Sequence, residues 1–128
     1  MTALAPPATI AFLGLGMMGR PMARRLAEAG FKLRVFDVSQ KAVSDFVGAH
    51  PSALATASAK AAAEGADALI TMLPDGKIVR QAVLEGRDAA VEGLQAGALV
   101  LDMSSSNPVD TQKLARDLAG RGVALLDA

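Results

Sequence analysis

Three glycines stand at the spacing G-x-G-x-x-G in Gly14-Leu15-Gly16-Met17-Met18-Gly19, between an apolar run and a helix-like run. Each has a possible task toward a phosphate-bearing ligand. Gly14 permits a tight turn, Gly16 lets the backbone approach a pyrophosphate with no Cβ in the way, and Gly19 lets a following helix pack closely on the preceding strand. The free N–H groups and positive dipole end of that helix would then face the phosphates. The spacing alone is a weak signal, because turns also favour glycine and a plain strand–helix turn would use it in the same way. Its surroundings strengthen it: an apolar strand-like run before, a helix pattern after, and a second strand-like run ending in an acid, Asp37, about twenty residues on.

Asp37 at that strand tip would accept hydrogen bonds from the adenosine ribose hydroxyls of a dinucleotide, charge-assisted and worth on the order of 1.5–3 kcal/mol. The same carboxylate would repel the 2′-phosphate of NADP, so NAD is the expected cofactor. The basic residues near it in sequence, Arg24, Arg25, Arg34 and Lys41, read as strand-borne or helix-surface charges on solvated faces. In an open parallel sheet, ligands lie beyond the carboxyl ends of the strands, which draws attention to two further loops. Leu73-Pro74-Asp75-Gly76-Lys77 could present Leu73 and Pro74 to the cofactor, or could be a turn with Asp75 as helix N-cap. Asp102-Met103-Ser104-Ser105-Ser106-Asn107-Pro108 offers a donor-rich surface suited to a carboxylate or carboxamide; on residue chemistry alone, N-caps before a helix opened by Pro108 are the simpler reading. The single histidine, His50, precedes Pro51 and has no partner that would activate a serine or complete a metal site, so no catalytic residue and no metal ligand is assigned.

These residues need a scaffold that brings strand ends together. Short apolar runs alternate with helix-length segments along the chain, the pattern of an α/β doubly wound parallel sheet with helices on both faces, the Rossmann fold. Strands are expected at Thr9–Leu13, Lys32–Phe36, Ala68–Met72, Leu99–Leu101 and Ala124–Leu126, with a weak one near Leu54. A helix over Met18–Ala29 places Met18, Met22, Leu26 and Ala27 on one face and stops at Gly30. Further helices follow Ser39 up to about Gly48, follow Ser58, and cover Lys77–Leu84, Asp88–Leu94 and Val109–Gly120.

The chain has 128 residues, enough for one domain with its own core. Lys plus Arg (13) balance Asp plus Glu (13), and aromatic residues make up 3%, which removes both the field and the stacking platforms of a nucleic-acid binder. There is no cysteine for a disulfide framework or thiolate site, and charges or Gly and Pro interrupt every apolar stretch before membrane-span length. The opening stretch has no Lys or Arg before Arg20, so it reads as a lead into the first strand rather than a signal peptide, and the cytoplasm is the expected address.

Taken together, the three loops resemble the β-hydroxyacid dehydrogenase family, which includes 3-hydroxyisobutyrate dehydrogenase. Gly14, Leu15, Gly16, Met18, Gly19, Pro21, Met22 and Ala23 fit its G-L-G-x-M-G-x-P-M-A signature. Thr71 to Asp75 resemble its second cofactor loop, and Asp102, Ser104, Ser105 and Pro108 fit D-x-S-[ST]-x-x-P. The resemblance spans essentially the whole chain. It implies an NAD(P)-binding Rossmann domain over residues 1–128, with Gly14, Leu15, Gly16, Met17, Met18, Gly19, Asp37, Leu73 and Pro74 at the cofactor. Ser104 and Ser105 would lie near the nicotinamide and the substrate carboxylate. It further implies hydride transfer between the cofactor and a short-chain 3-hydroxy acid of the 3-hydroxyisobutyrate or tartronate semialdehyde type, in an enzyme expected to be a homo-oligomer.

In that family a lysine on a second, all-helical domain moves the hydroxyl proton. No lysine here matches its position, including Lys32, Lys41, Lys60, Lys77 and Lys113. The chain is therefore expected to bind dinucleotide without turning over substrate by itself. An imine reductase-like NADPH domain and a non-catalytic nucleotide-sensing module are the alternatives. Asp37 speaks against the first, and the serine loop has no purpose in the second.

Overall fold

The structure, a computed structural model, describes residues 6–104 and 107–127. Six strands form one wholly parallel sheet: β1 (Thr9–Leu13), β2 (Lys32–Phe36), β3 (Leu54–Ala55), β4 (Ala68–Thr71), β5 (Leu99–Asp102) and β6 (Ala124–Asp127), in the order β3-β2-β1-β4-β5-β6. The chain winds outward from β1 to β3, returns to the other side of β1, and winds outward again to β6. The reversal leaves a crevice above the carboxyl ends of β1 and β4, where ligands settle in such sheets.

Side-chain alternation sends the two faces of the sheet into separate cores. Ile10 and Phe12 of β1 join Leu33, Val35, Ala23, Val43 and Phe46 under α1 (Gly19–Glu28) and α2 (Gln40–Ala49). Ala11 and Leu13 join Leu69, Val100, Leu114 and Leu118 beneath the opposite layer: α3 (Ala59–Ala63), α4 (Gly76–Arg80) and α5 (Pro108–Ala119). The doubly wound architecture expected from the alternation of runs is the one observed. Among the described residues no helix is long and apolar enough to cross a membrane.

Local chemistry accounts for most helix starts. Ser39, Ser58, Asp75 and Asn107 each accept a first-turn N–H, from Ala42, Ala61, Ile78 and Asp110 respectively. Two helices depart from expectation. The Lys77–Leu84 segment begins one residue earlier, at Gly76, and opens into a π turn over Gln81–Glu85, with the Gly86 N–H reaching back to the Gln81 carbonyl. Arg80 straddles this wide turn, pairing with Glu85 at 2.6 Å and with Asp117 on α5, and these two carboxylates hold its guanidinium pKa above the ordinary value. Asp88–Leu94 yields only a 3₁₀ turn at Ala90–Glu92, because Asp88 adopts a left-handed φ of 54° and Ala89 is extended. Met18, assigned to the buried face of the first helix, is exposed instead, while Met22, Leu26 and Ala27 pack on the core.

Arg34 departs from expectation as well. Its guanidinium is half-buried rather than solvated, and it donates to the carbonyls of Ala61 and Ala62 at the end of α3, at 2.8 and 3.2 Å. A cation there satisfies carbonyls with no intrahelical partner and meets the negative end of the helix. Arg34→Met, which keeps the apolar stem, is expected to lower unfolding free energy by about 1–2 kcal/mol in urea titration.

Candidate functional site

A cleft of about 500 Å³ opens above the ends of β1, β2 and β4. Its floor is the glycine loop. Gly14 has φ 103°, and a Cβ there would run into the Met72 carbonyl oxygen; a Cβ on Gly19 would run into the carbonyl of Gly14 itself. Strand, loop and helix are thus packed backbone against backbone. Gly16 differs, since a Cβ on it would meet nothing within 4 Å on the protein side. The space it keeps open is cleft, which is what close approach of a ligand requires.

Helix α1 begins at this floor. Unlike α2, α3, α4 and α5, it has no side chain capping its first turn; Met18 stands at the N-cap and offers no acceptor. The Arg20 N–H is taken by the Gly16 carbonyl at 2.9 Å, and Pro21 has no N–H to satisfy. That leaves the Gly19 N–H of the first turn and the positive helix end beside the cleft, which suits an anion. Among the described residues no Lys or Arg lines the cleft.

Asp37 forms one wall and also braces the floor. Its Oδ2 accepts the Leu15 N–H at 2.7 Å and its Oδ1 accepts the Ser39 N–H at 2.8 Å. A carboxylate has about four acceptor positions, so both oxygens keep capacity for further donors. Beyond Asp37 lies a second cavity of about 290 Å³, lined by Gln40, Val43, Ser44 and Thr56 among others; the two cavities share Phe36 and Asp37. The opposite wall of the main cleft comes from Met72, Leu73 and Pro74, with Ile78 and Ala82 above them.

Of the residues singled out in the sequence, Gly14, Gly16, Met17, Met18, Gly19, Asp37, Leu73 and Pro74 are brought together around this cleft. Leu15 is not on its surface: the side chain is buried in the core beside Phe12, and only its N–H takes part, through Asp37. Ser104 is also set back, 6% exposed, with its Oγ accepting the Leu73 N–H at 2.7 Å. Ser105 lies outside the described residues. Asp75 caps α4, as the N-cap reading expects, and Leu73 and Pro74 before it line the cleft. Val38, 93% exposed, and Ile78 and Ala82 also line the cleft and carried no motif signal. Their only mark in the sequence is adjacency to Asp37 and to the Leu73–Pro74 turn.

Residues 9–128 match the family model described as the NAD binding domain of 6-phosphogluconate dehydrogenase. The chain belongs to this NAD-binding domain family. The domain is 47% identical over 122 residues to 3-sulfolactaldehyde reductase of Escherichia coli (strain K12), a match covering 94% of this chain and 39% of that protein. It is 43% identical over 119 residues to the NAD-dependent L-serine dehydrogenase of Pseudomonas aeruginosa, covering 93% and 39%. Among solved structures it superposes on Mycobacterium tuberculosis 3-hydroxyisobutyrate dehydrogenase with L-serine at a TM-score of 0.84 and 34% identity, covering 94% of this chain and 40% of that one. The kinship with β-hydroxyacid dehydrogenases expected from the motifs is thereby shown. The chain spans about two-fifths of the length of these relatives.

The glycines separate two effects. Gly14→Ala is expected to cost on the order of 3 kcal/mol, from its positive φ and the backbone in its path. Gly16→Ala is expected to stay within about 0.5 kcal/mol of wild type. Thermal and urea unfolding of the two variants check this; equal losses would mean that the loop does not hold Gly14 and Gly16 in these different environments.

Proposed function

We propose that this NAD-binding domain serves an oxidoreductase of short-chain 3-hydroxy acids and prefers NAD to NADP. The observation that carries the reading is the convergence on one cleft of an uncapped helix start, a glycine floor with open space at Gly16, and the Asp37 carboxylate. A pyrophosphate over Gly16 would take the Gly19 N–H and face the positive end of α1. Asp37 would accept the adenosine ribose diol with its remaining lone pairs, leaving the second cavity, beside Val43 and Thr56, for the adenine. The other half of the dinucleotide would lie across β1 against Leu73 and Pro74. When bound, the nicotinamide supplies hydride chemistry.

The substrate class rests on the relatives, which are by name a reductase of 3-sulfolactaldehyde and dehydrogenases of L-serine and 3-hydroxyisobutyrate. We assign Ser104 and Ser105 to the substrate side, and place the proton-transferring lysine of the family in a second domain. By itself this domain then binds cofactor and holds no group placed to move the hydroxyl proton. A preference for NAD follows from charge. Asp37 stands where a 2′-phosphate would sit, and Arg34, the cation nearest to it on β2, is tied to α3.

Titration calorimetry of the chain with NADH and, separately, NADPH tests the reading. Wild type is expected to bind NADH at least about tenfold more tightly, the worth of one charge-assisted hydrogen bond or more. Asp37→Ala should weaken NADH binding, lower the melting temperature through loss of the Leu15 and Ser39 bonds, and erase the preference. Equal affinity for the two nucleotides in wild type would refute the NAD assignment. Failure to bind either would refute the cofactor site.

A further inference from the structure

We propose that Asp102 is a positioning residue for the cofactor, acting through Ser104 and Leu73 on the wall of the cleft; the proposal rests on the dinucleotide reading above. In the register of β4 and β5, Thr71 lies opposite Asp102. The Thr71 hydroxyl donates to Asp102 Oδ1 at 3.0 Å, and the Ser104 N–H donates to the same oxygen at 2.9 Å. Ser104 Oγ in turn accepts the Leu73 N–H at 2.7 Å, and the Met103 N–H donates to the Thr71 carbonyl at 2.8 Å. One carboxylate thus ties the loops that follow two neighbouring strands.

All three side chains are buried: Thr71 at 0%, Asp102 at 1% and Ser104 at 6% exposure. Desolvating a carboxylate is costly, and apolar residues at two facing sheet positions would close this layer without that cost. The neighbouring residues on the same face, Leu69 and Val100, do so. What the polar set adds is a fixed backbone at Leu73, the residue whose side chain and successor, Pro74, line the cleft on the side of β1 away from Asp37. A hydroxyl that must accept from Leu73 is held in place only if its own backbone is held, and Asp102 does that through the Ser104 N–H.

The role has a directional consequence. ADP carries only the half of the dinucleotide that reaches Asp37, whereas NADH reaches the Leu73–Pro74 wall. Loss of the Asp102 set should therefore weaken NADH and spare ADP, while general damage to the fold would weaken both.

The test is a set of ¹H–¹⁵N chemical-shift titrations of the chain with NADH and with ADP, alongside amide exchange at Leu73 without ligand. Asp102→Ala and Thr71→Val are expected to weaken NADH about tenfold, leave ADP within about twofold, and speed exchange of the Leu73 amide; Thr71→Ser, which keeps the hydroxyl, should restore all three. Should Asp102→Ala fail to fold, Thr71→Val, which matches threonine in shape, carries the comparison. Parallel loss of NADH and ADP, or unchanged NADH binding in Thr71→Val, would overturn the positioning role. Wild type that binds neither nucleotide would overturn the dinucleotide reading, and this inference with it.

Discussion

At Gly14 the backbone of the first strand turns directly beneath the Met72 carbonyl, and at Gly19 the first helix rests on the Gly14 carbonyl. No side chain fits at either contact. Because β1 is central, flanked by β2 and β4, this contact fixes where the glycine loop, Asp37 and the Leu73–Pro74 turn lie relative to one another. The Gly14 N–H donates to the Phe36 carbonyl and the Met72 N–H to the Leu13 carbonyl, so the three strand ends are joined by backbone bonds that do not depend on side-chain choice. Strand order and glycine set the outline of the crevice, and side chains such as Asp37 and Ser104 then brace its floor and wall.

Charge is organised around that crevice by direction rather than by quantity. The chain is electrically balanced and, among the described residues, the cleft has no lysine or arginine on its walls. Attraction for an anion must come from the Gly19 N–H and the positive end of α1, which loses less to salt than exposed cations do and discriminates by geometry. Asp37 would oppose such attraction if its charge were loose. It is instead held at both oxygens by the Leu15 and Ser39 N–H groups, so it stiffens the glycine floor while standing to one side of it.

Much of this was legible in the residues. Strands β1 and β2 run where the apolar alternation puts them, Ser39 and Ser58 cap the helices they precede, and the glycine spacing with its acid marks the cleft, because each is a local rule written in a few adjacent residues. What escaped was decided by tertiary contact. Arg34 looks like a surface charge until α3 delivers two carbonyls to it. Asp88 looks helical until its left-handed φ breaks the segment. Leu15, inside the motif, contributes a side chain to the core and only an N–H to the site. No periodicity distinguishes those outcomes, since each depends on an element distant in sequence.

The serine loop shows the same limit from the other side. Read alone, Ser104 is a hydroxyl on a loop at a strand end, suited to a ligand or, more simply, to capping the helix that follows. In the fold, the register of β4 against β5 sets Thr71 beside Asp102, and that pair draws the Ser104 N–H inward and turns its Oγ toward Leu73. Residue chemistry announced that the loop was polar; only strand register says which polar groups are spent on holding the cleft wall. In a parallel sheet the register is carried by backbone bonds along the whole strand, so a position at the tip is determined by apolar residues two places earlier, here Leu69 opposite Val100. Core packing and site geometry are for this reason one problem in this domain.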